Sequence, residues 1–418
     1  MKKILDGMVV LDLTRFFSGP QATLLLAGLG AEVIKVDDPA TGDPTTFSPP
    51  FVGPKGVSFE RRTQQDMGIA YLKRARAKKS ICLDLKSAEG KRIFRRLAAH
   101  ADVVIENFSV GVAAKLGVDY ASLASINPAL VHCSLTGYGS TGPDSQLKAY
   151  DLMVQAAVGL MGITGHPDAP PVKAGSPLSD AIAGVFAATG IVSALLHRQR
   201  TGEGQAVDVS MADCLFSLMF DEPFDCYDAL RIPQRQGSRI MRFSPFNNYA
   251  SQDGWVVIGA ATKADWVALL QVMGRDDLLD DPDMMDLSWR LANNERVDAV
   301  VAEWTRTRAS ADIVQQLHAA HIPCSPVRTM ADALSWPQLL ARGMIQPLWN
   351  PLSAGHTDAS GPGFPVKFSA TPADYTAPAP LPGEHSAEVL QRLGGCSLDE
   401  LRALGESGVV SGIGITPP

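Results

Sequence analysis

The stretch GSPLSDAIAG (175–184) puts one carboxylate, Asp180, at the head of a run of small apolar residues, VFAATGIVSALLH. Two chemistries fit that placing. As an N-cap, Asp180 accepts a backbone N–H from the first turn of the helix that the run predicts. As a nucleophile, the same carboxylate is held ionised by the helix N-terminus, and Ala181, Ala183 and Gly184 leave room for a bulky electrophile. A second group, Lys148-Ala149-Tyr150-Asp151, precedes another helical stretch. There Asp151 reads as a cap or an acid, and Lys148 as a solvated cation or an anion clamp. Asp37 and Asp38 end a strand-like run, where a dinucleotide-binding protein places its ribose acid. The first turn, TRFFSGPQAT, has one glycine and no GxGxxG, which argues against a nicotinamide enzyme. GYGSTGP (137–143) reads equally as a turn or a phosphate cradle. The absence of GxxxxGK[ST] and of GxSxG excludes a P-loop NTPase and an α/β-hydrolase elbow.

The elements that must position these residues alternate. Strand-like runs at 8–14, 31–38, 78–85, 102–107, 129–137 and 206–213 are separated by helical segments in the first half of the chain. That order predicts parallel βαβ units in an α/β, doubly wound sheet. Ligands then bind beyond the carboxyl ends of the strands, at the loops SGP, ENFSVG and LTGYGSTG. Two long helices are expected at 152–162 and 181–199. Beyond about 225, NNYASQDGWVVIGAAT (247–262) reads as a hairpin followed by a helical stretch with acidic loops. The expected division is a large domain over 1–220, a small domain over 221–330, and a Pro- and Gly-rich segment over 331–418 that wraps a surface or a neighbouring subunit.

With 418 residues, a net charge of −7 and a pI near 5.6, the chain has no basic field for nucleic acid or an anionic membrane face. No uninterrupted apolar run has the roughly 18 residues of a membrane span, and the N-terminus does not read as a signal peptide. The six cysteines form no CxxC pair and the eight histidines no HxH or HxxxH pair. Reduced thiols, a cytoplasmic protein and no protein-built metal site are therefore expected.

Taken together, LDLTRFFSGPQATLLLAGLGAEVIKV, KKSICLDLKSAEGKR, DVVIENFSVGVAAKLG, NPALVHCSLTGYGSTGP, ALLHRQRTGEGQAVDVSMAD and HIPCSPV resemble the class III CoA-transferase (CaiB/BaiF) family, which includes formyl-CoA transferase. The resemblance runs in order over nearly the whole chain. It implies a Rossmann-like large domain built from both chain ends, with 331–418 returning to it and wrapping the partner, a smaller α+β middle domain and an interlocked homodimer. It further implies an acyl-CoA and a small carboxylic acid as substrates, with no permanently bound cofactor.

Carried over by position, it makes Asp180 the catalytic aspartate. Phe17 and Ser18 would lie by the thioester and pantetheine, Leu83 and Lys86 near the adenosine end, and Asn107, Phe108 and Ser109 along the nucleotide. Lys115, at a position usually held by Arg, and Lys148 would pair with CoA phosphates, while Tyr150 and Asp151 would border the reacting thioester. Asp38 stands where some members carry an Arg beside the adenine. The Gly-rich lid of formyl-CoA transferase has no counterpart in 220–260. The racemase branch of the superfamily needs a His where this chain has Tyr150, which favours transfer over α-proton chemistry. The implied reaction passes CoA through an aspartyl anhydride and an aspartyl-CoA thioester. An acyl-CoA racemase and a non-catalytic CoA-binding protein are the alternatives. Arg15, Arg239 and Arg242 read first as surface or structural arginines, and second as candidate clamps for the acceptor carboxylate, which a forked cation suits.

Overall fold

The computed structural model describes residues 2–219 and 221–412. Residue 220, at the expected domain edge, and residues 413–418 of the expected C-terminal segment lie outside the described residues. The chain clusters into two compact units: Met1–Val158, Gly175–Asp221 and Pro337–Pro418 form the larger, and Gly159–Ala174 and Glu222–Trp336 the smaller.

The larger unit is mixed α/β around a seven-stranded sheet. Its strands are β1 (Val9–Asp12), β2 (Glu32–Asp37), β3 (Lys78–Leu83), β4 (Val103–Glu106), β5 (Val131–Thr136), β6 (Ala206–Ser210) and β7 (Val410–Ser411). They lie in the order β7-β3-β2-β1-β4-β5-β6, all parallel except β7, which runs antiparallel to β3. The runs VVLD, EVIKVD and VVIE are buried almost throughout, as strands covered on both faces must be. The C-terminal stretch completes this core: Val389, Leu390, Leu401, Leu404 and Val410 pack with Leu11, Ile34, Ile81 and Val104.

Buried charge ties the ends of the first three strands together. Lys78 of β3 lies 3.0 Å from Asp12 of β1 and donates to Thr23 at 2.7 Å. Lys35 of β2 lies 3.0 Å from both Asp37 and Asp43 and donates to the Thr14 carbonyl at 2.9 Å. Burial alone would raise the Asp12 pKa, but Lys78 and Lys35 beside it hold it below the usual value. Breaking such a pair strands a charge in low dielectric, at a cost of about 3–5 kcal/mol. The chain that leaves β1 toward residue 18 is therefore anchored on both sides.

Four helices matter for the site or its supports: α1 (Ser18–Gly28), α2 (Ile69–Arg74), α3 (Asp151–Ala157) and α4 (Leu178–Thr201). By length and composition α4 could cross a bilayer; here Ala183, Ala187, Ala188, Ile191 and Ala194 are buried on one side of it. Its approach to α1 depends on Gly184, where a Cβ would fall 2.7 Å from the Ser18 carbonyl oxygen and 2.9 Å from Gln21 Cβ. Any larger residue would push Ser18 away from Asp180.

The smaller unit holds the expected hairpin, Phe246–Ala250 against Trp255–Gly259, with Cys324–Pro326 as a third antiparallel strand. Its own core is built on Trp266, Leu269, Leu270, Val297 and Val301. All six cysteines are free, and Cys82, Cys133, Cys214 and Cys396 are buried.

Candidate functional site

The connections from β1 and β4, neighbours in the sheet, depart in opposite directions along it. In an open α/β sheet this reversal opens a crevice at the carboxyl ends of the strands. A cleft of about 680 Å³ lies there, lined by the loops after β1, β4 and β5 and by the starts of α3 and α4. The loop after β1 is held by Asn107, which accepts from the Arg15 N–H at 2.9 Å and donates to the Arg15 carbonyl at 2.9 Å. Within it Phe16 has φ 67°, a left-handed conformation costly for an aromatic residue and found where structure over-determines it. Its ring meets Tyr150 edge-on at 6.4 Å between centroids. On the other wall, a Cβ on Gly137 would fall 2.2 Å from Ala149 Cβ. Only glycine lets the segment carrying Lys148 and Tyr150 lie against the end of β5.

Asp180 does not cap its helix. α4 begins at Leu178, three residues earlier than an Asp180 cap requires, and Pro177 at the cap position provides no side-chain bond. The cap comes from across the site. Asp151 Oδ1 accepts from the Ser179 N–H at 2.9 Å, from Ser179 Oγ at 2.8 Å and from the Asp180 N–H at 3.5 Å, while Oδ2 accepts from Gln155 at 2.7 Å. Asp151 thus takes the capping work that the sequence placed on Asp180, and the Asp180 carboxylate lines the cleft.

Burial is the largest influence on Asp180. It pushes the pKa up from 3.8 to about 6, against hydrogen bonding from Ser18, and with Asp151 adding to the rise and Arg74 opposing it. The helix N-terminus was expected to favour the ionised form; desolvation and the second carboxylate outweigh it. A carboxylate with this pKa is still ionised in neutral solution, and more basic than an exposed one.

Of the residues singled out from sequence, Phe17, Ser18, Asn107, Phe108, Ser109, Lys148, Tyr150 and Asp180 line this one cleft. Asp151 stands directly behind Asp180. Leu83 and Lys86 line a neighbouring hollow of about 50 Å³ with Arg15, Asp38 and Phe108, so Phe108 borders both spaces. Lys86 there pairs with Asp38 at 2.7 Å. Lys115 is exposed and lines neither space. Arg15 belongs to the smaller hollow. Arg239 and Arg242 belong to the smaller unit, where they pair with Asp298 and Glu222 at 2.8 and 2.7 Å. None of the three candidate clamps is among the cleft-lining residues, as their surface or structural reading has it.

Sequence reading missed Phe16, Thr45, Thr136, Met211 and Arg74, which also line the cleft. Phe16 could have been found beside Phe17. Arg74 sits in the basic run LKRARAKKS, which reads as a solvated approach to a strand and carries no signal of a pocket. Among the described residues no group of three or more His, Cys, Asp or Glu side chains could hold a metal ion.

The fold is mixed α/β with a cleft at the carboxyl ends of its parallel strands, and comparison with known proteins gives its class, the CoA-transferases. The chain belongs to CoA-transferase family III, whose family model matches residues 5–386. It is 34% identical over 394 residues to a succinate–glutarate CoA-transferase of Agrobacterium fabrum, covering 94% of this chain and 96% of that protein. It is 36% identical over 380 residues to an acetyl-CoA:oxalate CoA-transferase of Acetobacter aceti, covering 90% and 91%. Among solved structures, a CaiB/BaiF family protein from Brucella suis superimposes with a TM-score of 0.80 at 34% identity, covering 94% of this chain and all of that one.

Proposed function

We propose that Asp180 is the covalent nucleophile of CoA transfer from an acyl-CoA thioester to a carboxylic acid. One observation carries this reading: a half-buried, more basic carboxylate opens into the cleft, relieved of capping by Asp151. An Asp180 oxygen attacks the thioester carbonyl carbon, the C–S bond breaks, and an aspartyl–acyl anhydride and CoA thiolate form. The thiolate then attacks the aspartyl carbonyl, expelling the donor acid as carboxylate and leaving an aspartyl-CoA thioester. The acceptor carboxylate repeats the sequence in reverse, forming a second anhydride whose acyl carbon the thiolate takes. Asp180 ends as it began, and no net proton is needed. Ser18, hydrogen-bonded to Asp180, supplies a hydroxyl and a backbone N–H from the start of α1 for the oxyanions that form at each step.

The nucleotide part of CoA is assigned to the rest of the two hollows. Phe17, Asn107, Phe108 and Ser109 would flank pantetheine and nucleotide and Lys148 the phosphates, with Lys115 reaching them from outside the two hollows. Leu83 and Lys86 would take the adenosine end, with Lys86 held by Asp38, at a position where some members carry an Arg. The strand order supports a Rossmann-like, doubly wound reading of the larger domain. The free, mostly buried thiols support a cytoplasmic enzyme. A homodimer, with the 331–418 segment wrapping the partner, is supported by apolar side chains left uncovered on α3 and α4: Leu152, Met153, Val185, Phe186 and Leu196.

The test is intact-protein mass spectrometry after incubation with a panel of acyl-CoA thioesters, then hydroxylamine or borohydride trapping. A modification that maps to Asp180 and disappears in Asp180→Ala supports the covalent route. Turnover without modification of Asp180 would refute it.

A further inference from the structure

Arg74 is a half-buried cation that the reaction just described leaves without a task. It closes α2 and lines the same cleft as Asp180. Its Nε is buried without a hydrogen-bond partner. Asp43 and Asp180 act on it through space, and burial depresses its pKa. Asp43 is already engaged, 3.0 Å from Lys35 and accepting from Thr45 at 2.8 Å. The guanidinium carbon stands 4.5 Å over the centroid of the Phe17 ring, which fixes its plane and covers one face. The other space it borders, shared with Asp43, Tyr71, Lys35 and Lys78, holds only about 10 Å³, too little to admit a ligand carboxylate from that side. Burying a guanidinium without a paired anion is costly. A forked, fixed, unpaired guanidinium is the arrangement that binds a carboxylate at two points.

Resting on the assignment of Asp180 as nucleophile, we infer that Arg74 binds the second, non-reacting carboxylate of the acyl group, and that the enzyme's acids are dicarboxylic. The reacting carboxylate is not its natural partner, because pairing there would withdraw the electrons with which that group attacks. Charge in the cleft points the same way. Its lining holds the anion Asp180 and two cations, Arg74 and Lys148. Lys148 is exposed, as suits a phosphate, whereas Arg74 is largely enclosed beside the nucleophile. A dianionic acid entering next to Asp180 needs a countercharge there, and a monoacid would leave Arg74 unpaired.

The test compares wild type with Arg74→Gln at pH 8, above the Asp180 titration. The substrates are two matched pairs: succinyl-CoA against butyryl-CoA as donors, and glutarate against valerate as acceptors. The wild type is expected to favour the dicarboxylate of each pair in kcat/KM by about 100-fold or more. Arg74→Gln is expected to lower dicarboxylate kcat/KM at least about 30-fold more than monocarboxylate kcat/KM, so the preference collapses. Arg74→Lys keeps charge and stem but loses the fork; it should fall between the two, and it replaces Arg74→Gln if that variant does not fold. The inference is overturned by a wild type without dicarboxylate preference, or by an equal loss on both members of each pair, which would mark Arg74 as a general support of Asp180. Wild type that transfers CoA within either pair while Asp180 carries no acyl label defeats the nucleophile assignment itself.

Discussion

Replacing Asp180 by Asn should abolish CoA transfer and at the same time stabilise the protein, with a pH dependence that identifies the cause. A carboxyl raised from 3.8 to about 6 carries a penalty on its ionised form of about 2–3 kcal/mol, allowing for the solvent that reaches a half-buried group. Because the folded pKa lies above the unfolded one, the native state holds the proton more tightly. Stability is lost as pH rises from about 4 through about 6, and the loss is complete above that window. Asn is close to the neutral carboxyl in shape and has no charge to desolvate, so it escapes the penalty. For a chain of this size the gain corresponds to about 2–4 °C in Tm. Thermal unfolding of both proteins, followed by circular dichroism from pH 8 down to pH 4.5, measures it. The Tm gap should be widest at pH 7–8 and close as pH falls through 6. A gap that is independent of pH, or an Asn variant less stable than wild type at pH 8, would refute the claim that burial raises the Asp180 pKa.

Three more outcomes follow from the same geometry. Asp151→Ala removes the cap on α4 and the like charge behind Asp180, so it should cost about 1–2 kcal/mol of stability and move the acid limb of the kcat/KM profile below the wild-type position near pH 6; an unmoved limb would show that the two carboxylates do not interact. Lys78→Met leaves Asp12 buried and unpaired, and it should lower stability by about 3–5 kcal/mol, read as a fall in Tm together with loss of CoA binding. Phe186→Glu puts a charge on the uncovered side of α4; light scattering should find wild type as a dimer and this variant shifted toward monomer, and a wild type that is monomeric at all concentrations would end the dimer reading.

Much of the site was legible because its residues lie where strands end. Apolar runs of strand length, broken by SGP, ENFSVG and LTGYGSTG, announce a parallel sheet whose ligands gather at those loops, and Phe17, Ser18, Asn107, Phe108 and Ser109 meet in the cleft accordingly. The order of the elements along the chain and the resemblance of long segments pointed to Asp180 as the group that reacts. Its environment was not readable. Whether a carboxylate in the first turn caps its helix or faces a cleft depends on what else supplies the cap, and here Asp151 arrives from 29 residues away. Arg74 illustrates the same limit: its neighbours in sequence make it look solvated, whereas Phe17 and Asp180 become its neighbours only when α2 packs beneath the loop after β1. Residue types and periodicity set the local elements and the chemistry available to each side chain. Burial, pairing and the pKa of Asp180 are sums over groups distant in sequence, and those the tertiary structure alone decided.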